Sequence, residues 1–226
     1  MRHKLAGIFL LCFVALSFTS GKMDVAVVVD DPLNAPDRFA QRNWVDSVFQ
    51  SLSSEERLGQ LFMVAAYSNK DQKHIDEISQ LVKDENLGGL IFFQGGPDRQ
   101  ARLTNYYQAL AKTPLFIAMD AEWGISMRLD SVPDFPRAMT LGAIQNSDLI
   151  YDMGAEMARQ FKELGMHINF APVVDVNSNP ENPVIGFRAF GENKKAVAQR
   201  AVAYMKGLQD NGVIANAKHF PGHGDT

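Results

Sequence analysis

Lys218, His219, Phe220, Pro221, Gly222, His223, Gly224 and Asp225 gather a lysine, two histidines and an aspartate around a proline and two glycines. A run of this kind is a polar site rather than core, because charged side chains are seldom buried without partners. His219 and His223 have the four-residue spacing of a metal-binding pair, but that spacing brings both rings to one face only on a helix. Pro221 and Gly222 argue against a helix. Lys218 beside His219 instead suits hydrogen-bond donation to a neutral polar ligand, and an adjacent cation opposes metal ligation. No metal site is expected.

A second cluster runs from Asp120 to Arg128 and includes Glu122 and Trp123. An ionised carboxylate accepts hydrogen bonds from neighbouring hydroxyls and a guanidinium fork donates several in one plane, so Asp120 and Arg128 could clamp a polyhydroxylated ring. Trp123 could add an apolar face. The same Asp120 and Arg128 read equally as an ion pair that braces a loop. A third cluster, Gly186 to Gly191, follows a loop rich in asparagine and proline, where binding residues tend to concentrate. Within it Arg188 reads as a binding residue or as a guanidinium stacked on its aromatic neighbours. Asp175 reads as a helix or loop brace rather than a catalyst, His74 as solvated surface, His167 as a satisfied structural histidine, and the ten methionines as core filler.

These clusters need elements to position them, and the chain supplies a repeating pattern. Apolar runs at 90–93, 115–119, 168–174 and 213–217, with a weaker one at 60–66, predict five strands. Between them, Ile75, Ile78, Leu81 and Val82, then Ile150, Met153, Met157, Phe161 and Leu164, then Val197, Ala201, Val202, Met205 and Leu208 recur at helical spacing. Ser53 and Glu56 form a capping-box pattern at the start of this body, and Gly88, Gly165 and Gly212 stand where helix C-caps belong. The alternation predicts an α/β fold with a parallel sheet. No Gly-x-Gly-x-x-Gly loop follows the first strands. Polar residues follow the predicted strands instead: Gln94, Asp120, Asp175, then Lys218 and His219. That rim is where a (β/α)8 TIM-type barrel builds its site, so a barrel is expected, with about five of eight βα units present.

Residues 1–21 carry Arg2 and Lys4, then an apolar run from Leu5 to Phe18, then the small residues Thr19, Ser20 and Gly21. An apolar run of about 14 residues is short of the roughly 20 that span a bilayer, so a cleaved secretory leader is expected rather than a stable membrane anchor. The exported protein would be periplasmic or extracellular. Residues 22–50 read as an arm or linker before the body at 51–226. Cys12, the only cysteine, would leave with the leader, so no disulfide is expected. Loss of Arg2 and Lys4 would take the net charge from −4 to −6, and with no basic run remaining, nucleic acid is not an expected partner.

Lys-His-Phe-Pro-Gly-His-Gly at 218–224, Asn-Phe-Ala-Pro-Val-Val-Asp-Val at 169–176, Gly-Phe-Arg-Ala-Phe-Gly at 186–191 and Asp-Ala-Glu at 120–122 together resemble the barrel domain of family 3 glycoside hydrolases. The β-N-acetylhexosaminidase branch is the nearest in pattern. The likeness covers roughly 51–226. It implies that Asp120, Arg128, Arg188, Lys218 and His219 bind an N-acetylglucosamine unit, with no cofactor. It implies retention of configuration through an aspartate nucleophile with an Asp-His acid/base pair. Both are expected after Thr226, so the chain as given is expected to be inactive even where it binds sugar. The family's common form of the first motif is Asp-Gln-Glu-Gly-Gly, whereas Ala121 and Trp123 stand here in place of Gln and the first Gly. A family 3 β-glucosidase or β-xylosidase and a non-catalytic sugar-binding module are the alternative readings.

Overall fold

A computed structural model describes residues 38–225 of the 226. The expected leader at 1–21 and the arm up to 37 lie outside the described residues. Contacts divide the chain at Trp44, and the larger unit begins at Val45. The last part of the expected arm is helical: α1 spans Arg38–Ser51.

The body opens with α2, Ser54–Gly59, and its predicted capping box is formed. Ser53 Oγ accepts the Glu56 N–H and the Glu56 carboxylate accepts the Ser53 N–H. Five strands follow: β1 Met63–Ala66, β2 Gly89–Phe92, β3 Phe116–Met119, β4 Ile168–Asn169 and β5 Ile214–Ala215. The helices between them are α3 Gln72–Asp84, α4 Pro97–Leu110, α5 Ala138–Gly142, α6 Asp148–Glu163 and α7 Lys194–Gln209.

All four strand pairings are parallel and the sheet order is β1-β2-β3-β4-β5. A doubly wound sheet reverses direction at a switch point. Here every strand is added on the same side of the last, which is the winding of a TIM-type barrel, and the five units form an open arc of one. Ile117, Ala118 and Met119 are all fully buried, as expected of a central strand covered on both faces.

Two differences from the predicted elements have local causes. β4 is only two residues long because Pro172 has no N–H for the ladder, although Val173 still bridges to Lys218. Helix α4 escapes an apolar-period reading because it buries Gln100 and Thr104 alongside Tyr107. Of the expected C-cap glycines, Gly165 and Gly212 have φ of +69° and +82°. Gly88 does not. Asn86 takes the left-handed turn after α3 at φ +49°, while a Cβ on Gly88 would lie 2.0 Å from the Gln60 carbonyl oxygen. None of the described helices is long and apolar enough to cross a membrane.

Candidate functional site

Asp120, one residue past β3, and Lys218, three past β5, meet at 2.5 Å through Oδ1 and Nζ. Arg128 donates from Nη2 to the other carboxylate oxygen of Asp120 at 2.9 Å and from Nε to its backbone carbonyl at 2.9 Å. Lys218 Nζ also lies 2.8 Å from Glu122 Oε1. Arg188 grips Glu122 in a two-pronged pair, Nε at 2.9 Å and Nη2 at 2.7 Å. Arg128, Asp120, Lys218, Glu122 and Arg188 thus form one continuous network of three cations and two anions.

The two carboxylates have different capacities left. A carboxylate offers about four lone-pair positions. Glu122 has three engaged by Arg188 and Lys218, and its side chain is 5% exposed. It is a strut. Asp120 has two engaged, is 23% exposed and can still accept two hydroxyl groups. Burial alone would raise the Glu122 pKa, but hydrogen bonds and positive charge from Arg188 and Lys218 outweigh it and hold the carboxyl below the usual carboxylate value. The Arg188 guanidinium is stabilised in return by its hydrogen bonds to Glu122.

His219 is oriented by Asp175, whose side chain is fully buried. Asp175 Oδ2 accepts the His219 N–H at 3.1 Å and faces His219 Nδ1 at 2.7 Å, while Oδ1 accepts the His223 N–H at 2.6 Å. A carboxylate oxygen this close to a ring nitrogen acts as the acceptor, so Nδ1 of His219 directs a proton toward Asp175. Lys218 is held along the strand edge: Val174 N–H donates to its carbonyl at 2.6 Å and its own N–H to Pro172 at 3.1 Å. A cavity of about 620 Å³ opens beside His219, with Asp175, Val176, Ser178 and Phe220 in its walls.

The backbone under Asp120 and Glu122 is braced from two elements. Asn169 of β4 exchanges two 3.1 Å bonds with Ala121, and Tyr204 of α7 donates to the Ala121 and Glu122 carbonyls at 3.3 and 3.2 Å. Burial pushes the Tyr204 hydroxyl well above its usual pKa, so it stays a donor. Arg128 lies 4.7 Å from the Phe93 ring centre, and its loop pairs with Gly95 after β2.

All five predicted binding residues therefore share one rim. Gln94 does not join them; it is exposed, with its carbonyl accepting the Ser68 N–H. The Asp120 to Arg128 ion pair exists, and it leaves acceptor capacity open. Arg188 is paired with Glu122 rather than stacked. The stacked guanidinium is Arg137, 3.6 Å from the Trp123 ring centre, so Trp123 presents a face to Arg137. His74 is not merely solvated: its Nε2 accepts the Tyr67 N–H at 3.1 Å. His167 is a satisfied structural residue, its Nδ1 accepting the Ile117 N–H at 3.0 Å. Sequence reasoning passed over the Asp175 to His219 pair. The available signal was that both residues follow strand ends, which converge in a parallel sheet.

Residues 53–226 match the family model described as the glycosyl hydrolase family 3 N terminal domain. Beta-hexosaminidase A of Pseudoalteromonas piscicida is 38% identical over 163 residues, covering 66% of this chain and 27% of that protein. A family 3 β-N-acetylglucosaminidase structure from Paenibacillus sp. is 36% identical with a TM-score of 0.70, covering 77% of this chain and 34% of its own. The β-glucoside phosphorylase BglX, solved with 2FGlc bound, is 28% identical with a TM-score of 0.77, covering 85% and 34%. The chain thus spans about a quarter to a third of the length of these relatives. With more than half its residues inside the matching model, the chain belongs to glycosyl hydrolase family 3, in the N-terminal domain.

Proposed function

We propose that this chain forms the substrate-holding face of an exported, retaining β-N-acetylhexosaminidase acting on N-acetylglucosamine-containing glycans such as peptidoglycan fragments. One observation carries the reading: Asp120, Arg128, Lys218, Glu122 and Arg188 converge at the rim of the sheet in a network that leaves acceptors on Asp120 and donors on Lys218 and Arg128 for a ring of hydroxyl groups. Likeness to proteins named as hexosaminidases favours the N-acetylglucosamine ring over glucose.

The carboxylates of the network are engaged in charge-assisted hydrogen bonds, so Asp120 holds the sugar, Glu122 braces its cationic partners, and neither protonates a leaving group. The proton transfer and the covalent intermediate belong, in this reading, to the aspartate and Asp-His pair expected after Thr226. Export rests on the composition of residues 1–21. Cell fractionation checks it, and recovery of the unprocessed chain in the cytoplasm would refute it.

Calorimetric titration of the chain with N-acetylglucosamine and with glucose tests the sugar reading. N-acetylglucosamine should bind more tightly, and Asp120→Ala should weaken it at least about tenfold by removing two charge-assisted acceptors. Tighter binding of glucose would move the protein to the glucosidase reading, and an unchanged affinity in Asp120→Ala would remove Asp120 from the site.

A further inference from the structure

Arg137 stands outside the network yet touches its flanks. Its guanidinium carbon lies 3.6 Å from the centre of the Trp123 ring and 5.3 Å from that of Phe187. The two rings meet edge-on at 6.5 Å between centres. Trp123 directly follows Glu122 and Phe187 directly precedes Arg188, the two residues joined by the bidentate pair. The aromatic stack is therefore fastened at both ends to the sugar-holding network.

A guanidinium laid on an indole is fixed in plane, with its N–H edge turned away from the ring face. Among the described residues Arg137 is exposed, its contacts are with these rings, and no carboxylate pairs with it. Stacking satisfies the face of the ion and leaves the donor edge open. Two parallel N–H groups at that edge match a planar carboxylate. The charge balance agrees: the network has one more cation than anions, and Arg137 adds another, in a chain whose net charge is −4. Trp123, on which the stack depends, is also one of the two residues, with Ala121, that depart from the family's common motif.

We propose that Arg137, held flat by Trp123 and Phe187, receives a carboxylate on the unit next to the bound N-acetylglucosamine, which makes the site selective for acidic over neutral aglycones. The inference rests on the sugar-site reading above and adds a specificity residue to it. The ligand class is a β-N-acetylglucosaminide whose neighbouring sugar carries a carboxylic acid, such as the lactyl group of a muramic acid unit.

The test is titration of the full chain with N-acetylglucosamine, with N-acetylglucosaminyl-β-1,4-N-acetylmuramic acid, and with the same disaccharide as its neutral carboxamide. The acid should bind about tenfold more tightly than the amide, the size of effect expected for a hydrogen-bonded charge. Arg137→Gln should bind acid and amide equally, with N-acetylglucosamine affinity unchanged. Equal binding of acid and amide by the unsubstituted chain, or a preference that survives in Arg137→Gln, overturns the proposal while leaving the sugar site standing. Failure of N-acetylglucosamine itself to bind overturns the sugar site and this inference with it. If Arg137→Gln does not fold, Arg137→Lys keeps the charge without the planar fork and must reduce the preference; an unchanged preference there also overturns the proposal.

Discussion

Asp120 and Glu122 stand two residues apart and divide the work of the site, because Lys218 reaches both while Arg128 takes one and Arg188 the other. Glu122→Gln would leave Arg188 and Lys218, 20% and 13% exposed, without full counter-charge. Removing one partner of a buried pair costs about 3 kcal/mol, so its melting temperature should fall by roughly 10 °C. A variant melting within about 2 °C of the parent would show that Glu122 is not a strut. Asp175 is more constrained still, since its two oxygens receive three donors with no exposure. Asparagine would turn an NH2 group toward at least one of those donors. Asp175→Asn should therefore destabilise the chain by about 2 to 4 kcal/mol. It should also release the Nδ1–H tautomer of His219, read from its ring nitrogen shifts by NMR; persistence of that tautomer would argue against the pair.

The elements that carry these residues are spaced by close backbone approach as much as by apolar burial. Helix α6 buries Ile150, Met153, Gly154, Met157, Ala158 and Phe161 on one stripe, and α7 answers with Val197, Ala201, Tyr204, Gly207 and Leu208. At their crossing a Cβ on Gly207 would lie 2.2 Å from the Tyr151 carbonyl oxygen, and one on Gly154 would lie 2.6 Å from that of Tyr204. Tyr204 is the residue whose hydroxyl holds the Ala121 and Glu122 backbone, so the crossing distance sets the height of the site floor. Gly207→Ala should force the helices apart and lower both stability, by about 3 kcal/mol, and sugar affinity. Gly212→Ala is the contrast. Gly212 has φ +82° but nothing within 4 Å of an added Cβ, so only the left-handed strain of about 1 kcal/mol applies and affinity should be unaffected. Equal losses in the two variants, measured by denaturant unfolding, would contradict this account.

For the molecule as a whole, acid is the vulnerable side. His167 must stay neutral for Nδ1 to accept the Ile117 N–H, and burial lowers its pKa below the ordinary 6.5. His74 is lowered the same way, by burial and then by the charge of Lys70, while its Nε2 accepts the Tyr67 N–H. Groups lowered in the folded state give stability that is present above the unfolded pKa and lost as pH falls through it toward the folded value. The histidines set a first decline below about pH 6.5, and Glu122, held below the ordinary 4.5, a second at lower pH. Melting temperatures should be level from pH 7 to 8 and fall from 6.5 to 5. A rise over that acidic interval would show that neither histidine titrates as described.

Much of this was legible in the chain, and for identifiable reasons. Apolar runs alternating with helical periodicity determined an α/β fold with parallel strands, and the capping box at Ser53 and Glu56 marked where the body starts, because both patterns are local. The strand-end positions of Asp120, Lys218 and His219 place them on one rim from the sequence alone. What only the tertiary structure decided was which groups pair and which stay open. Lys218 meets Asp120 across 98 residues, Arg188 meets Glu122 across 66 and His219 meets Asp175 across 44. Those pairings depend on the register of neighbouring strands and the crossing of α6 with α7, which no local pattern encodes. The same holds for Arg137, drawn onto Trp123 and Phe187 from a loop whose sequence alone gave no sign of a site.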